Sequence, residues 1–218
     1  MKKLLVIIAV WLSSGAFAQV SFSAGGSSLL AFGTEAGPWG GVHLGVEVPR
    51  DDAISLYGRI THNFAKKGDS VQTIAMAIDF MTSPYTLPVN GVTSSTYSIV
   101  EGGTRYYLGN GFDFGWAGYG GTNFMLVFNR VRTSYDDFDQ TLYQLEGGSN
   151  DRDGSIISFG IGLHGGVKYS VPRIGTFYTD INLGYMFLGQ ASNINVSAEL
   201  YSPLIFGINL GYRYDILW

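Results

Sequence analysis

Three histidines, His43, His62 and His164, are the side chains best suited to acid–base chemistry near neutral pH. A catalytic role needs a nucleophile or a carboxylate placed with each of them. His43 and His164 fall instead in runs that alternate apolar with small or polar residues, which makes them packing residues; His62 falls near the end of such a run. Acidic side chains gather between 129 and 153, where Asp136, Asp137, Asp139, Glu146, Asp151 and Asp153 outnumber Arg130, Arg132 and Arg152. Calcium favours several oxygen ligands of this kind. However, Asn150-Asp151-Arg152-Asp153-Gly154 lacks the alternating spacing and distal glutamate of a calcium loop, so a solvated acidic loop is expected, with no metal and no cofactor. Lys66, Lys67, Arg130 and Arg132 have the chemistry to meet phosphate groups as point charges or forks.

The elements that position these groups follow from composition. Of 218 residues, 31 are glycine, 14 tyrosine, 14 phenylalanine and 4 tryptophan, and only 14% are charged against 46% apolar. Disorder, a coiled coil and nucleic-acid binding are all poor readings of such a chain, and short strands joined by turns are favoured. Lys2 and Lys3, an apolar run from Leu4 to Leu12 and Ala16-Phe17-Ala18 read as a leader for export, cleaved near Ala18. The expected organisation is a signal peptide at 1–18 and one domain at 19–218, with 11 basic against 17 acidic side chains. Export permits disulfides, but the chain has no cysteine. No later stretch reaches 18 consecutive apolar residues, so a membrane crossing must use β-strands, which need about 9 to 11 residues each.

A period of two recurs as a barrel strand requires. Val42, Leu44, Val46 and Val48 alternate with His43, Gly45 and Glu47; Phe177, Thr179, Ile181, Leu183, Tyr185 and Phe187 alternate with Tyr178, Asp180, Asn182, Gly184 and Met186. Runs at 157–169 and 204–216 behave alike, and 20–30, 54–64, 71–80, 98–108 and 112–128 are further candidates. That is nine, whereas a single-chain bacterial barrel has an even number. Counting back from a periplasmic C-terminus puts short turns at 49–53, 109–111 and 171–175, and long connections at 65–94, 129–153 and 189–202. The segment 71–80 then becomes an outer hairpin arm. In the alternative it spans, and 85–96 supplies a tenth strand. Pro84, Pro88 and Asn90-Gly91 favour a loop there.

Strand charges fall on the polar side of the alternation: Arg59, Arg105, Lys168 and Arg213 against Glu47, Glu101, Asp113, Asp180 and Asp215. An eight-stranded barrel is just wide enough for side chains to fill it, so these groups are expected to pair in a closed lumen. The rival is a narrow conduit lined by a charged ring. Aromatics around Tyr106, Phe112, Phe114, Trp116, Tyr169, Phe177, Tyr212, Tyr214 and Trp218 would form a girdle near the periplasmic interface.

The chain ends Asn209-Leu210-Gly211-Tyr212-Arg213-Tyr214-Asp215-Ile216-Leu217-Trp218. This resembles the assembly signal of bacterial outer-membrane barrels, with Asn209, Gly211, Tyr214 and Ile216 in its polar, glycine, aromatic and apolar places and Trp218 as the aromatic terminus, one residue late. Over the whole mature length the chain resembles small outer-membrane β-barrel proteins of the OmpX, OmpW and OmpA-barrel plan, and among them the barrel-domain proteins of Bacteroidota. The resemblance implies an eight-stranded up-and-down antiparallel barrel in a bacterial outer membrane, with lipid, lipopolysaccharide and the barrel-assembly machinery as partners, and makes Lys66, Lys67, Arg130 and Arg132 candidate contacts to lipopolysaccharide phosphates. It also implies a structural or surface-binding role through outer loops, a narrow channel, or membership of a secretion or envelope complex with a protein partner. Barrel enzymes that remove acyl chains from lipid A carry His-x-Ser, whereas the residues two beyond these histidines are Gly45, Phe64 and Gly166. Asp136-Asp137 matches half of an outer-membrane protease site, without an Asp-x-His partner. A non-enzymatic barrel is therefore expected.

Overall fold

The computed structural model describes residues 19–33, 37–145, 154–191 and 202–216. Among the described residues are nine strands, β1 (Val20–Ala31), β2 (Trp39–Pro49), β3 (Ile54–Ala77), β4 (Thr86–Gly109), β5 (Gly115–Tyr135), β6 (Tyr143–Leu145), β7 (Gly154–Val171), β8 (Gly175–Ala191) and β9 (Leu204–Ile216). Eight of them close an antiparallel ring in chain order, with β5 beside β7 and β9 returning to pair with β1. Short β6 stays outside the ring and pairs with β3 through Ala75–Leu145 and Ala77–Tyr143. The expected leader at 1–18 and Trp218 lie outside the described residues, as do Glu146, Asp151, Arg152 and Asp153.

Alternation decides which way each side chain points. Along β8, Phe177, Ile181, Leu183, Tyr185 and Phe187 are exposed on the outside while Tyr178, Asp180, Asn182 and Met186 are buried within. Along β2, Val42, Leu44 and Val46 are exposed and Trp39, His43 and Glu47 buried. The outside is therefore the greasier face, the reverse of a protein that folds around an oily centre in water. Strand ends sort into two rims. Residues 50–53, 110–114 and 172–174 make short turns at the rim where β1 begins and β9 ends. Asp51 fixes the first by accepting hydrogen bonds from the amides of Ala53 (2.8 Å) and Ile54 (2.7 Å).

Two expectations need correction. Residues 85–96 are not loop: β4 starts at Thr86, and its outer half pairs with β3 through Pro88–Ile74 and Asn90–Gln72. Pro88 lies beyond Gly91–Tyr135, the last β4–β5 pair, so one side of β4 is open there and a proline forfeits no ladder bond. The outer hairpin arm expected at 71–80 is present as the end of β3, which runs on to Ala77 and forms a tall hairpin with β4 whose tip is 78–85. Finally, β5 begins at Gly115 instead of Phe112, because 110–114 fold as a turn.

At the long-loop rim, β5, β4, β3 and β6 continue as a sheet with a core of its own. Ala75, Ala77, Val89, Tyr143 and Leu145 are buried there, with Leu87, Tyr135 and Phe138 packed against them. Beyond Lys67, β3 runs ten more residues to Ala77, which is roughly 34 Å of extended chain. Asp79 orders the tip by accepting hydrogen bonds from the amides of Met81 (2.9 Å) and Thr82 (2.7 Å) and from the Thr82 hydroxyl (2.7 Å).

Candidate functional site

The barrel interior is layered. Nearest the short turns lies an aromatic layer of Tyr107, Phe112, Ala117 and Tyr119. Phe112 was expected in the external girdle, but its turn folds it inward until it is 2% exposed. Lys168 Nζ (2.8 Å) and Arg213 Nη2 (2.9 Å) both donate to its carbonyl, and the Arg213 guanidinium lies 3.7 Å from its ring centroid. Its amide donates to the Asp52 carbonyl at 3.0 Å, docking one turn on the next. The positive φ of Gly111, 71°, lets the chain make this inward bend.

Above this layer the charges join in a chain of alternating sign. Arg59 Nε donates to Glu101, and Arg59 Nη1 lies 3.0 Å from Asp180 Oδ2. Asp180 also lies 3.5 Å from Arg105 Nη2, and Arg105 Nη1 meets Glu47 at 2.6 Å. Glu47 is 3.4 Å from Arg213 Nη1, and Arg213 Nε is 2.9 Å from Asp215. The order is Glu101, Arg59, Asp180, Arg105, Glu47, Arg213, Asp215, and Lys168 beside it brings the tally to four cations and four anions. Asp113 does not take part, because the turn that buries Phe112 leaves Asp113 exposed.

Neutral donors complete the carboxylate shells. Asn123 (2.9 Å) and Asn182 (2.6 Å) donate to Glu101, Asn209 (2.7 Å) and Tyr119 (3.2 Å) to Asp180, and the hydroxyls of Ser55 and Tyr107 to Glu47. Such additional bonds are what make buried charges tolerable. Arg105 stacks over Tyr57, 4.3 Å from its centroid. Both inward histidines are held by tyrosines, His43 Nε2 by Tyr178 (2.7 Å) and His164 Nδ1 by Tyr57 (3.2 Å).

Toward the long loops the interior turns apolar. Leu29, Ala31, Trp39, Tyr97, Ile99, Met125, Val127, Val131, Met186 and Ile205 form one buried cluster. Trp39 is fully buried and donates from Nε1 to the Ser95 carbonyl at 3.0 Å. Sequence reasoning expected a polar interior throughout and missed this layer, although Leu29, Ile99, Met125, Val127 and Ile205 all sit on the inward parity. Between the charged and apolar layers, Ser27, Thr61, Asn63, Met125, Asn182 and Asn209 are among the residues lining a cavity of about 20 Å³.

Outside the barrel, His62 meets Ser98 at 2.9 Å and packs edge-on against Phe64. A base beside a hydroxyl is half of a nucleophilic arrangement. Among the described residues no carboxylate pairs with His62 to complete it, and no group of three His, Cys, Asp or Glu is placed to hold a metal. Four cations expected in loops sit on strands instead, Lys66 and Lys67 midway along β3 and Arg130 and Arg132 near the end of β5. Lys67 pairs with Ser94, Ser94 with Arg132, and Thr96 with Arg130; Lys66 donates to the Pro38 carbonyl at 3.2 Å.

The C-terminal residues take definite places in β9. Asn209 is buried on Asp180, Tyr214 is exposed outside, and Gly211 faces the Tyr178 ring. A Cβ on Gly211 would stand 2.6 Å from Tyr178 Cζ, so only glycine fits.

No protein-family model and no curated protein matches the sequence. Among solved structures, Neisserial surface protein A (NspA) is similar at 15% identity over 91% of this chain and 97% of that one, with a TM-score of 0.49. The outer membrane protein OprG from Pseudomonas aeruginosa is similar at 14% identity, 91% and 96% coverage and a TM-score of 0.48. Ail, the attachment invasion locus protein of Yersinia pestis, in complex with the heparin analogue sucrose octasulfate, is similar at 13% identity, 91% and 100% coverage and a TM-score of 0.46. The chain's own ring of eight antiparallel strands, apolar outside and charged within, has the architecture of a transmembrane β-barrel.

Proposed function

We propose that this chain is exported through a leader at 1–18 and embedded in a bacterial outer membrane, where it acts without catalysis as a closed barrel that anchors a binding sheet at the surface. One observation carries the reading: the alternating charge chain is packed between Phe112 on one side and the Trp39–Tyr97 layer on the other. The cavity of about 20 Å³ between them has room for one water, since a single water needs about 10–15 Å³. A conducting file needs a continuous path, and this packing among the described residues argues against one.

The working surface is then the tall sheet of β3, β4, β5 and β6. Its tip presents Phe80, 93% exposed, and Met81, 94% exposed, on a turn held rigid by Asp79. Exposed apolar groups on an ordered element suit contact with another surface. The segment Asn209, Gly211, Tyr214, Ile216 and Trp218 serves as the signal read by the barrel-assembly machinery.

Liposome swelling together with protease mapping on intact cells tests this reading. Purified protein is expected to give no solute-dependent swelling, and cleavage is expected at 78–85 from outside the cell. Swelling that falls with solute size would replace the closed barrel by a narrow channel.

A further inference from the structure

Lys67, Arg132 and Arg130 occupy a particular level on the outside of the barrel. Paired residues on neighbouring strands share a face. Phe128 is exposed outside and pairs with Ser98, and Arg130 and Arg132 follow it at the same parity along β5. Across the ladder, Ser94 stands between Arg132 on β5 and Lys67 on β3. Adjacent strands are about 4.8 Å apart, so the two cationic residues spring from backbones about 10 Å apart with a hydroxyl between them. Arg130, opposite Thr96, lies one step closer to the apolar belt and completes a triangle of three cations.

Height identifies what these cations meet. On β5 the outward residues run from Trp116 at the short-turn rim through Phe124, Leu126 and Phe128 to Arg130. Fourteen residues separate Trp116 from Arg130, which is about 48 Å of strand, or about 34 Å of height at a tilt near 45°. A hydrocarbon core is about 30 Å thick, so a barrel with Trp116 at one interface carries Arg130 at the other, among the headgroups. Below the cations β4 shows the bilayer Ser98, Val100, Gly102 and Thr104, a low strip flanked by Ile60 and Phe64 on β3 and Phe124 and Phe128 on β5. Charge above apolar ridges is the complement of a lipid that bears phosphate above acyl chains.

We infer that Lys67, Arg130 and Arg132 form a binding site for the phosphate groups of a glycolipid in the outer leaflet, with its acyl chains lying along β4. Lys66 stands apart, tied to the Pro38 carbonyl. The site rests on the reading of the barrel as embedded in a membrane, but it is independent of whether the interior conducts.

The test uses the full mature chain in detergent, with heat-modifiable gel migration reporting that the barrel is folded. The probes are a bis-phosphorylated lipid A-type glycolipid, its dephosphorylated counterpart and inorganic phosphate, followed by native mass spectrometry. Wild type is expected to prefer the phosphorylated lipid by about tenfold or more. The triple variant K67A/R130A/R132A is expected to migrate as a folded barrel and lose that preference, and Lys66→Ala to keep it. Equal binding of the two lipids, or a triple variant that keeps the preference, overturns the site. Full competition by low-millimolar inorganic phosphate overturns the lipid assignment in favour of a free anion. A wild-type chain without heat-modifiable migration instead removes the membrane barrel on which the site stands.

Discussion

Replacing Asp180 with asparagine keeps the shape of the side chain and removes one charge from the middle of the network. Asp180 holds two arginines, at 3.0 and 3.5 Å, and is 1% exposed. Without it Arg59 retains only Glu101 and Arg105 only Glu47, so seven members carry the charge of six and the interior gains one net positive charge. Breaking one partner out of a buried ion pair costs about 3–5 kcal/mol, because the remaining charge stays desolvated. The asparagine keeps an acceptor oxygen for Asn209 or an arginine, which places the expected loss near the lower figure. About 3 kcal/mol is on the order of a 150-fold change in the folding equilibrium. Urea unfolding in detergent or lipid, followed by tryptophan fluorescence and heat-modifiable migration, measures it. Asp113→Asn is the control, since its exposed turn position predicts a change within about 0.5 kcal/mol. If Asp180→Asn unfolds within about 1 kcal/mol of wild type, the network is hydrated enough to screen its charges, and the packed interior is wrong.

Phe112→Ala removes the ring beneath Arg213 and is expected to destabilise the barrel by about 3 kcal/mol or more, measured in the same unfolding assay. Gly211→Val drives a side chain into the Tyr178 ring and is expected to abolish heat-modifiable migration, whereas Gly211→Val with Tyr178→Ala recovers part of it. In the outer sheet the Thr82 hydroxyl, then the amides of Thr82 and Met81, hold the Asp79 carboxyl below the usual carboxylate range, and Thr141 does the same for Asp139. A depressed value means the turns keep their bonds above the ordinary carboxylate range and lose them as pH falls through the lowered one. Amide exchange at Met81, Thr82 and Thr141 is therefore expected to be equally protected at about pH 5 and pH 7 once intrinsic rates are divided out, and to lose protection only below about pH 4. Loss already at pH 5 would contradict it.

Much of the ring was legible because a period of two survives wherever a strand faces two different surroundings. In β2, β7, β8 and β9 it separated outward Leu44, Leu163, Ile181 and Leu210 from inward Glu47, Lys168, Asp180 and Arg213. Parity alone does not say which charges meet. Arg59 finds Asp180, 121 positions away, only because the stagger of the closed ring brings β3 and β8 to one height. The same limit hid Phe112, whose inward turn depends on carbonyl bonds from Lys168 and Arg213 on distant strands. Pro84, Pro88 and Asn90-Gly91 misled for a different reason. Turn chemistry is a local preference, and β4 has an open side where a proline costs nothing, so pairing with β3 overrode it. The apolar layer around Trp39 was on the right parity in the sequence, but an expectation that the interior be polar concealed it.

Planar-bilayer conductance of the purified wild-type chain in concentrated potassium chloride tests the central claim most directly. The packed charge chain between Phe112 and Trp39 predicts a membrane that stays at its baseline conductance after insertion is verified by folded-barrel migration. Reproducible conductance steps from the inserted protein would contradict it and make the interior a pathway.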